Sequence, residues 1–341
     1  MKACDRTLDR STNPTSEILH AEVPGETIYA HTPGVDSINF GAEASPRSLQ
    51  LNSLYWTAPM TKFATAVAAV QLIEKGVLNL NMDVKWYVEE LEGVRQWSTS
   101  QGRTARTFCG SMEGFAHPLL SQTGTSWDYG AGLDLAGVLI KRITGIPLSK
   151  CMQDNIFSRF EASCILFLYP NHQPKDNTLP PLLGMAYRTA SSNSSSSSKA
   201  TNSPSTKSNP RSKPKSALKP GPIILSYPLT YDLGGIALFS ALADFASLLA
   251  SLLRNRDRLF SKGKESVDLL LAPHMGFEQM KRAFGVGVNS RSNTVGQVED
   301  IPGRRARGSA GLRGFAELSW GIAGALFTQL MPPSERGFGR A

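Results

Sequence analysis

Residues 56–84 read WTAPMTKFATAVAAVQLIEKGVLNLNMDV. Phe63, Val67 and Val70 recur at helical spacing among the small residues Ala64, Ala66 and Ala69, and Gly76 follows as a stop, so the pattern predicts a buried, closely packed helix over 60–75. Pro59 suits the first turn of that helix, where backbone N–H groups have no intrahelical partner to lose. Lys62 follows three residues later, which places it on the same face as position 59, one turn on.

An SxxK pair uses this geometry. A serine at the first turn is activated by a desolvated neutral lysine, and the serine's own N–H forms half of an oxyanion hole. Pro59 supplies neither the hydroxyl nor the N–H. The nearby hydroxyls are expected to be poor substitutes: Thr61 points about 100° around the helix from Lys62, and Thr57 and Ser53 precede the helix start. Taken alone, Lys62 reads as a helix-start lysine reaching solvent.

A second patch lies downstream, Thr125-Ser126-Trp127-Asp128-Tyr129-Gly130-Ala131-Gly132-Leu133-Asp134, and two glycine-rich pieces follow at Asp232-Leu233-Gly234-Gly235-Ile236 and Pro302-Gly303-Arg304-Arg305-Ala306-Arg307-Gly308-Ser309. In this order, from about Tyr55 to Pro333, the segments resemble the serine β-lactamase-like and penicillin-binding-protein-like family, in its fungal esterase and transesterase branch. The resemblance implies an α/β fold of the β-lactamase/transpeptidase type, with an antiparallel sheet flanked by helices plus a mostly helical lobe. It makes Lys62 the general base and Tyr129 its proton-transfer partner, with the nucleophile position occupied by Pro59, and it assigns Trp127, Gly234, Gly235 and Ser309 to ligand binding. Without the resemblance, Tyr129 reads as a packed aromatic with a surface hydroxyl, and Arg304, Arg305 and Arg307 as a solvated loop.

The resemblance further implies an acyl-ester hydrolase or acyltransferase acting on a small-molecule ester or amide in secondary metabolism, with a carrier-bound acyl donor as one option and no cofactor. The alternative is a non-catalytic ligand-binding or scaffolding relative of the same fold. Besides Pro59, two stretches depart from the family pattern: residues 92–107 carry no His-Thr-Ser-Gly loop, and residues 310–320 fit poorly the tryptophan-glycine strand that supplies the second oxyanion N–H. Loss of a serine nucleophile alone costs on the order of a million-fold in rate in subtilisin.

Composition bounds the remainder. The chain has 341 residues, 41% of them hydrophobic, enough for two lobes. Six of the eight excess positive charges lie in residues 191–220, a stretch with 12 serines and no acid. Such a tract cannot bury enough apolar surface to offset its ordering entropy and reads as a disordered insert, with nucleic-acid binding the lesser expectation. The organisation expected is residues 1–58 as the first part of the α/β lobe, 59–190 as the active-site helix and helical lobe, 191–220 as the insert, and 221–341 as the rest of the α/β lobe. Further helices are expected at 134–142, stopping at Gly145, at 148–157, and around Leu242, Phe245 and Leu249 with Ser240 as N-cap; strands are expected at 284–288 and 322–331.

Cys4, Cys109, Cys151 and Cys164 show no CxxC pairing and the five histidines no HxxxH spacing, so no metal site is expected. The longest apolar run, residues 239–253, is interrupted by Asp244, and no membrane span is expected. Scattered thiols and a charged start accord with a cytoplasmic protein.

Overall fold

The computed structural model describes residues 18–23, 26–32, 34–35, 48–91, 131–160, 162, 164–167, 180, 182–188, 218–223, 231–253, 256–272, 304–307, 312–318 and 321–331. In chain order the elements are β1 (Ile18–Val23), β2 (Glu26–His31), β3 (Leu54–Trp56), α1 (Thr61–Glu74), α2 (Gly132–Thr144), α3 (Leu148–Asn155), β4 (Ile165–Phe167), β5 (Met185–Arg188), β6 (Leu218–Gly221), β7 (Leu238–Ala241), α4 (Leu242–Ala250), α5 (Arg256–Leu259), α6 (Lys264–Leu271), β8 (Arg304–Arg307), β9 (Arg313–Glu317), β10 (Ile322–Phe327) and β11 (Leu330–Met331). Short 3-10 turns at Ala58–Met60 and Phe157–Phe160 flank α1 and α3.

Five strands form an antiparallel sheet in the order β2-β1-β10-β9-β8. β1 pairs with β10, Ile18 opposite Phe327 and Glu22 opposite Ala323, so one lobe is closed by chain from both sides of the helical region. Two three-stranded sheets, β11-β5-β6 and β3-β7-β4, hold the other described strands. Helix α4 packs on the five-stranded sheet. A side chain at Gly314 of β9 would meet Met60 Cε at 2.8 Å and Leu249 Cδ1 at 2.9 Å, so glycine is what lets the sheet approach the helix start so closely. Phe327 lies 5.5 Å from both Tyr55 and Phe245, ring centroid to centroid, and ties the layers together.

Helix α1 crosses this core, packed against α2, α3 and α6. Phe63, Ala64, Val67, Ala68 and Val70 are buried, as the alternation of small and large residues predicts. Its buried polar groups are cross-links: Thr65 Oγ1 donates to the Gly234 carbonyl at 2.7 Å, and Gln71 Nε2 donates to the carbonyls of Asn155 (3.0 Å) and Leu259 (2.7 Å).

Several expectations change in detail. Ser240 does not cap α4: it lies in β7, its hydroxyl donates to the Ala241 carbonyl, and Ala241 is the N-cap residue. The 322–331 strand divides, because the Gln329 carbonyl accepts from Ala186 N and Gln329 Nε2 reaches the Trp56 carbonyl, which moves β11 to another sheet. The arginines at 304–307 form a strand rather than a loop. The end of the serine-rich tract is also ordered, since residues 218–221 pair with β5. The rest of that tract and the strand expected at 284–288 lie outside the described residues. Among the described residues no helix is long and apolar enough to cross a membrane, and no group of three or more His, Cys, Asp or Glu could hold a metal ion.

Candidate active site

The site is built where β3 runs into α1. Thr57 N and Thr57 Oγ1 both donate to the Leu238 carbonyl of β7, at 3.0 and 2.8 Å. Thr61 Oγ1 donates to the Ala58 carbonyl at 2.7 Å and accepts from Leu238 N at 3.1 Å. These two buried threonines clamp the helix start onto β7, and Trp56 Nε1, donating to the Ile236 carbonyl at 2.6 Å, extends the clamp. Ser53 is also occupied, accepting from Gln50 N at 3.0 Å. The hydroxyls around position 59 therefore serve the backbone, in agreement with the geometric expectation that none replaces a serine there.

Between the threonines, Ala58 is fully buried with φ of 48°, the one non-glycine residue in the left-handed region among the described residues. A Cβ in that region costs about 1–2 kcal/mol, and such strain persists only where surrounding contacts over-determine it. Pro59 follows in the 3-10 turn. Pro59, Lys62, Ala66, Ala69 and Ile73 are half-buried at the 3,4,3,4 spacing of a single face, and the positions between them up to Leu72 are buried. Position 59 and Lys62 thus share the open stripe, as the sequence predicts.

Burial pushes the Lys62 ammonium below its usual range, and the Asp134 carboxylate opposes this by pulling it up. Asp134 sits in the first turn of α2 and is buried; burial raises its carboxyl, while Lys62 and the Gly235 N–H, which donates to Asp134 Oδ1 at 2.7 Å, lower it. Asp134 is the site residue that the sequence did not disclose. It stands at the end of the Tyr129 patch, but an acid in a first helical turn ordinarily needs no more explanation than the helix dipole.

Gly234 and Gly235 are placed behind the site. A Cβ at Gly234 would lie 2.4 Å from the Leu133 carbonyl, and one at Gly235 would lie 2.5 Å from Asp134 Oδ2. Their surroundings give these glycines a packing role between α1 and α2, and the geometry adds no support for ligand contact. Asp232 accepts from Ser149 N at 2.6 Å and so caps α3. Trp127, Tyr129 and Ser309 lie outside the described residues, as does the 92–107 loop.

β9, which follows Ser309, lies between β8 and β10, so its backbone is committed to ladders on both sides. The strand beside the Ala58–Met60 turn is the edge strand β8.

The family model described as Beta-lactamase matches residues 23–339. The chain is similar to a lovastatin esterase of Penicillium rubens, 26% identical over 41% of this chain and 45% of the relative. It is also similar to the monacolin J acid methylbutanoyltransferase of Aspergillus terreus, 25% identical over 42% of this chain and 45% of the relative. The chain spans about half the length of the curated relatives it matches. Among solved structures, a simvastatin synthase mutant from Aspergillus terreus matches with a TM-score of 0.69 at 18% identity, covering 94% of this chain and 88% of that one. EstCE1, a hydrolase with promiscuous acyltransferase activity, matches with a TM-score of 0.66 at 14% identity, covering 92% and 88%. The fold is thus of the β-lactamase/transpeptidase type, and the chain belongs to the Beta-lactamase family.

Proposed function

We propose that this chain is an acyl-ester hydrolase or acyltransferase scaffold for a small metabolite of secondary metabolism whose covalent chemistry is blocked at Pro59. One observation carries the reading. Position 59 shares the open face of α1 with a half-buried Lys62 in a lowered protonation range, while the flanking hydroxyls of Thr57 and Thr61 are engaged by the backbone. The base is retained and the nucleophile is not.

In this reading Lys62 takes the proton that a hydroxyl at position 59 would lose, and Tyr129 carries the proton to the leaving group. The relatives' names support an ester substrate and an acyl transfer step; a carrier-bound donor and a cytoplasmic setting belong to the same proposal. The test is hydrolysis of short-chain nitrophenyl esters. The wild-type chain should turn over negligibly and Pro59→Ser should gain activity that is lost again on Lys62→Ala. Robust wild-type turnover that survives Lys62→Ala overturns the assignment. Pro59 also favours a second reading, a non-catalytic relative that binds its ligand reversibly. That reading expects saturable binding with no mass increase after incubation with a penicillin, and a stable adduct on the wild-type chain contradicts it.

A further inference from the structure

Six large apolar side chains are exposed among the described residues, and four of them, Val77, Leu80, Trp86 and Tyr87, fall within the short segment that follows α1. Scattered exposed apolar residues need no explanation, but a cluster does. The segment sorts its apolar residues into two sets. Leu78, Val84, Val88 and Leu91 turn inward and pack with Val138 and Leu139 of α2, Val88 being fully buried. Val77, Leu80 and Trp86 turn outward, 44%, 57% and 83% exposed. The inner set alone seats the segment on α2, and the outward indole forgoes the burial that an aromatic of its size ordinarily gains.

The backbone that carries the outer set is fixed in advance. Asp83 Oδ1 accepts from Lys85 N at 3.0 Å and caps the 3-10 turn Val84–Trp86, and Arg142 of α2 donates to the Tyr87 carbonyl at 2.8 Å. A patch held this way loses little freedom on association. Its charges decide between partners. Among the described residues of the segment the exposed ones are Lys75 and Lys85 against Asp83 and Glu89, two of each sign; on α2, Arg142 is engaged by Tyr87 and Lys141 lies over the Tyr231 ring. Anionic lipid headgroups and nucleic-acid phosphates call for an excess of positive charge. A balanced rim complements itself. We propose that this patch is a self-association surface, on which a second copy of the chain covers Trp86 about a twofold axis. Lys85 and Glu89 flank Trp86 and Tyr87 in sequence, so an axis beside the aromatic pair sets Lys85 of each copy against Glu89 of the other, at both ends of one contact. The aromatic pair is the anchor and the two ion pairs fix the register. Four apolar side chains make a small interface, which places the dimer in the weak, concentration-dependent class.

Sedimentation velocity of the full-length protein from about 1 to 100 μM reads the association directly. The sedimentation coefficient should rise with concentration from a monomer value toward a dimer value. Trp86→Ser should weaken the dimer at least about tenfold, and Leu80→Ser takes its place in the test if Trp86→Ser folds poorly by circular dichroism. Lys85→Glu and Glu89→Lys should each weaken the dimer, and combining them should recover most of the loss, because each reversed charge then meets a reversed partner. A wild-type chain that stays monomeric across the range, a dimer unmoved by the folded serine variant, or a double exchange no tighter than the single ones overturns the inference. A monomer that floats with phosphatidylcholine vesicles through Trp86 assigns the patch to lipid and likewise overturns it. None of these readouts needs turnover, so they stand apart from the outcome at Pro59.

Discussion

At the scale of single residues, the chain spends its polar groups near position 59 on holding backbone. Thr61 bridges the Ala58 carbonyl and the Leu238 N–H from inside the core. Thr61→Val keeps the shape but leaves that N–H unpaired, and should cost about 1–3 kcal/mol in urea denaturation. Tyr55 is the opposite case: fully buried, with a hydroxyl that has no hydrogen-bond partner among the described residues and a phenol pushed upward by burial. Tyr55→Phe should therefore stabilise the protein by about 1 kcal/mol in the same measurement, while retaining the edge contact with Phe327. The Lys62 and Pro59 pairing was legible from spacing alone because i, i+3 geometry is intrinsic to a helix. Asp134 was not, since whether an acid in a first helical turn is buried depends on the Gly234–Gly235 turn, about a hundred residues away in sequence.

At the scale of elements, α1 was foreseen because its alanines and branched residues make one statement, burial on almost every side. Its partners were less readable. Glu74, in the last turn of α1, accepts hydrogen bonds from Ser261 N, Lys262 N and Ser266 Oγ, and so anchors the segment that leads into α6. Burial alone would raise its carboxyl, but these bonds outweigh burial and hold it below its ordinary value of 4.5. A carboxyl lowered in the folded state contributes stability above its unfolded value and loses it as pH falls through the folded value. The melting temperature should accordingly drop below about pH 4.5, and Glu74→Gln should flatten that part of the profile while lowering stability at neutral pH. The division of 322–331 into β10 and β11 was hidden because nothing local to Thr328 and Gln329, the polar pair that interrupts the apolar run, shows that both are buried and that the Gln329 side chain reaches Trp56.

For the whole molecule, the two-lobed organisation follows from β1 pairing with β10 around a helical middle, and the sequence's alternation of strand-like ends with helical centre anticipates it. Sheet order was beyond reach, because the exchange that puts β8 rather than β9 at the edge beside position 59 is set by long-range register. The serine-rich tract enters and leaves the fold at paired positions, Arg188 opposite Leu218. Residues 189–217 should therefore be replaceable by a short hairpin turn with a melting temperature within a few degrees of the parent, as loop-closure entropy changes slowly with length.

The proposed function requires that a hydroxyl restored at position 59 find Lys62 able to activate it. Intact-mass analysis after incubation with a fluorophosphonate tests it most directly. The expected result is no adduct on the wild-type chain and a single adduct at position 59 of Pro59→Ser, abolished by adding Lys62→Ala. An adduct on the wild-type chain, or none on a folded Pro59→Ser variant, would contradict it.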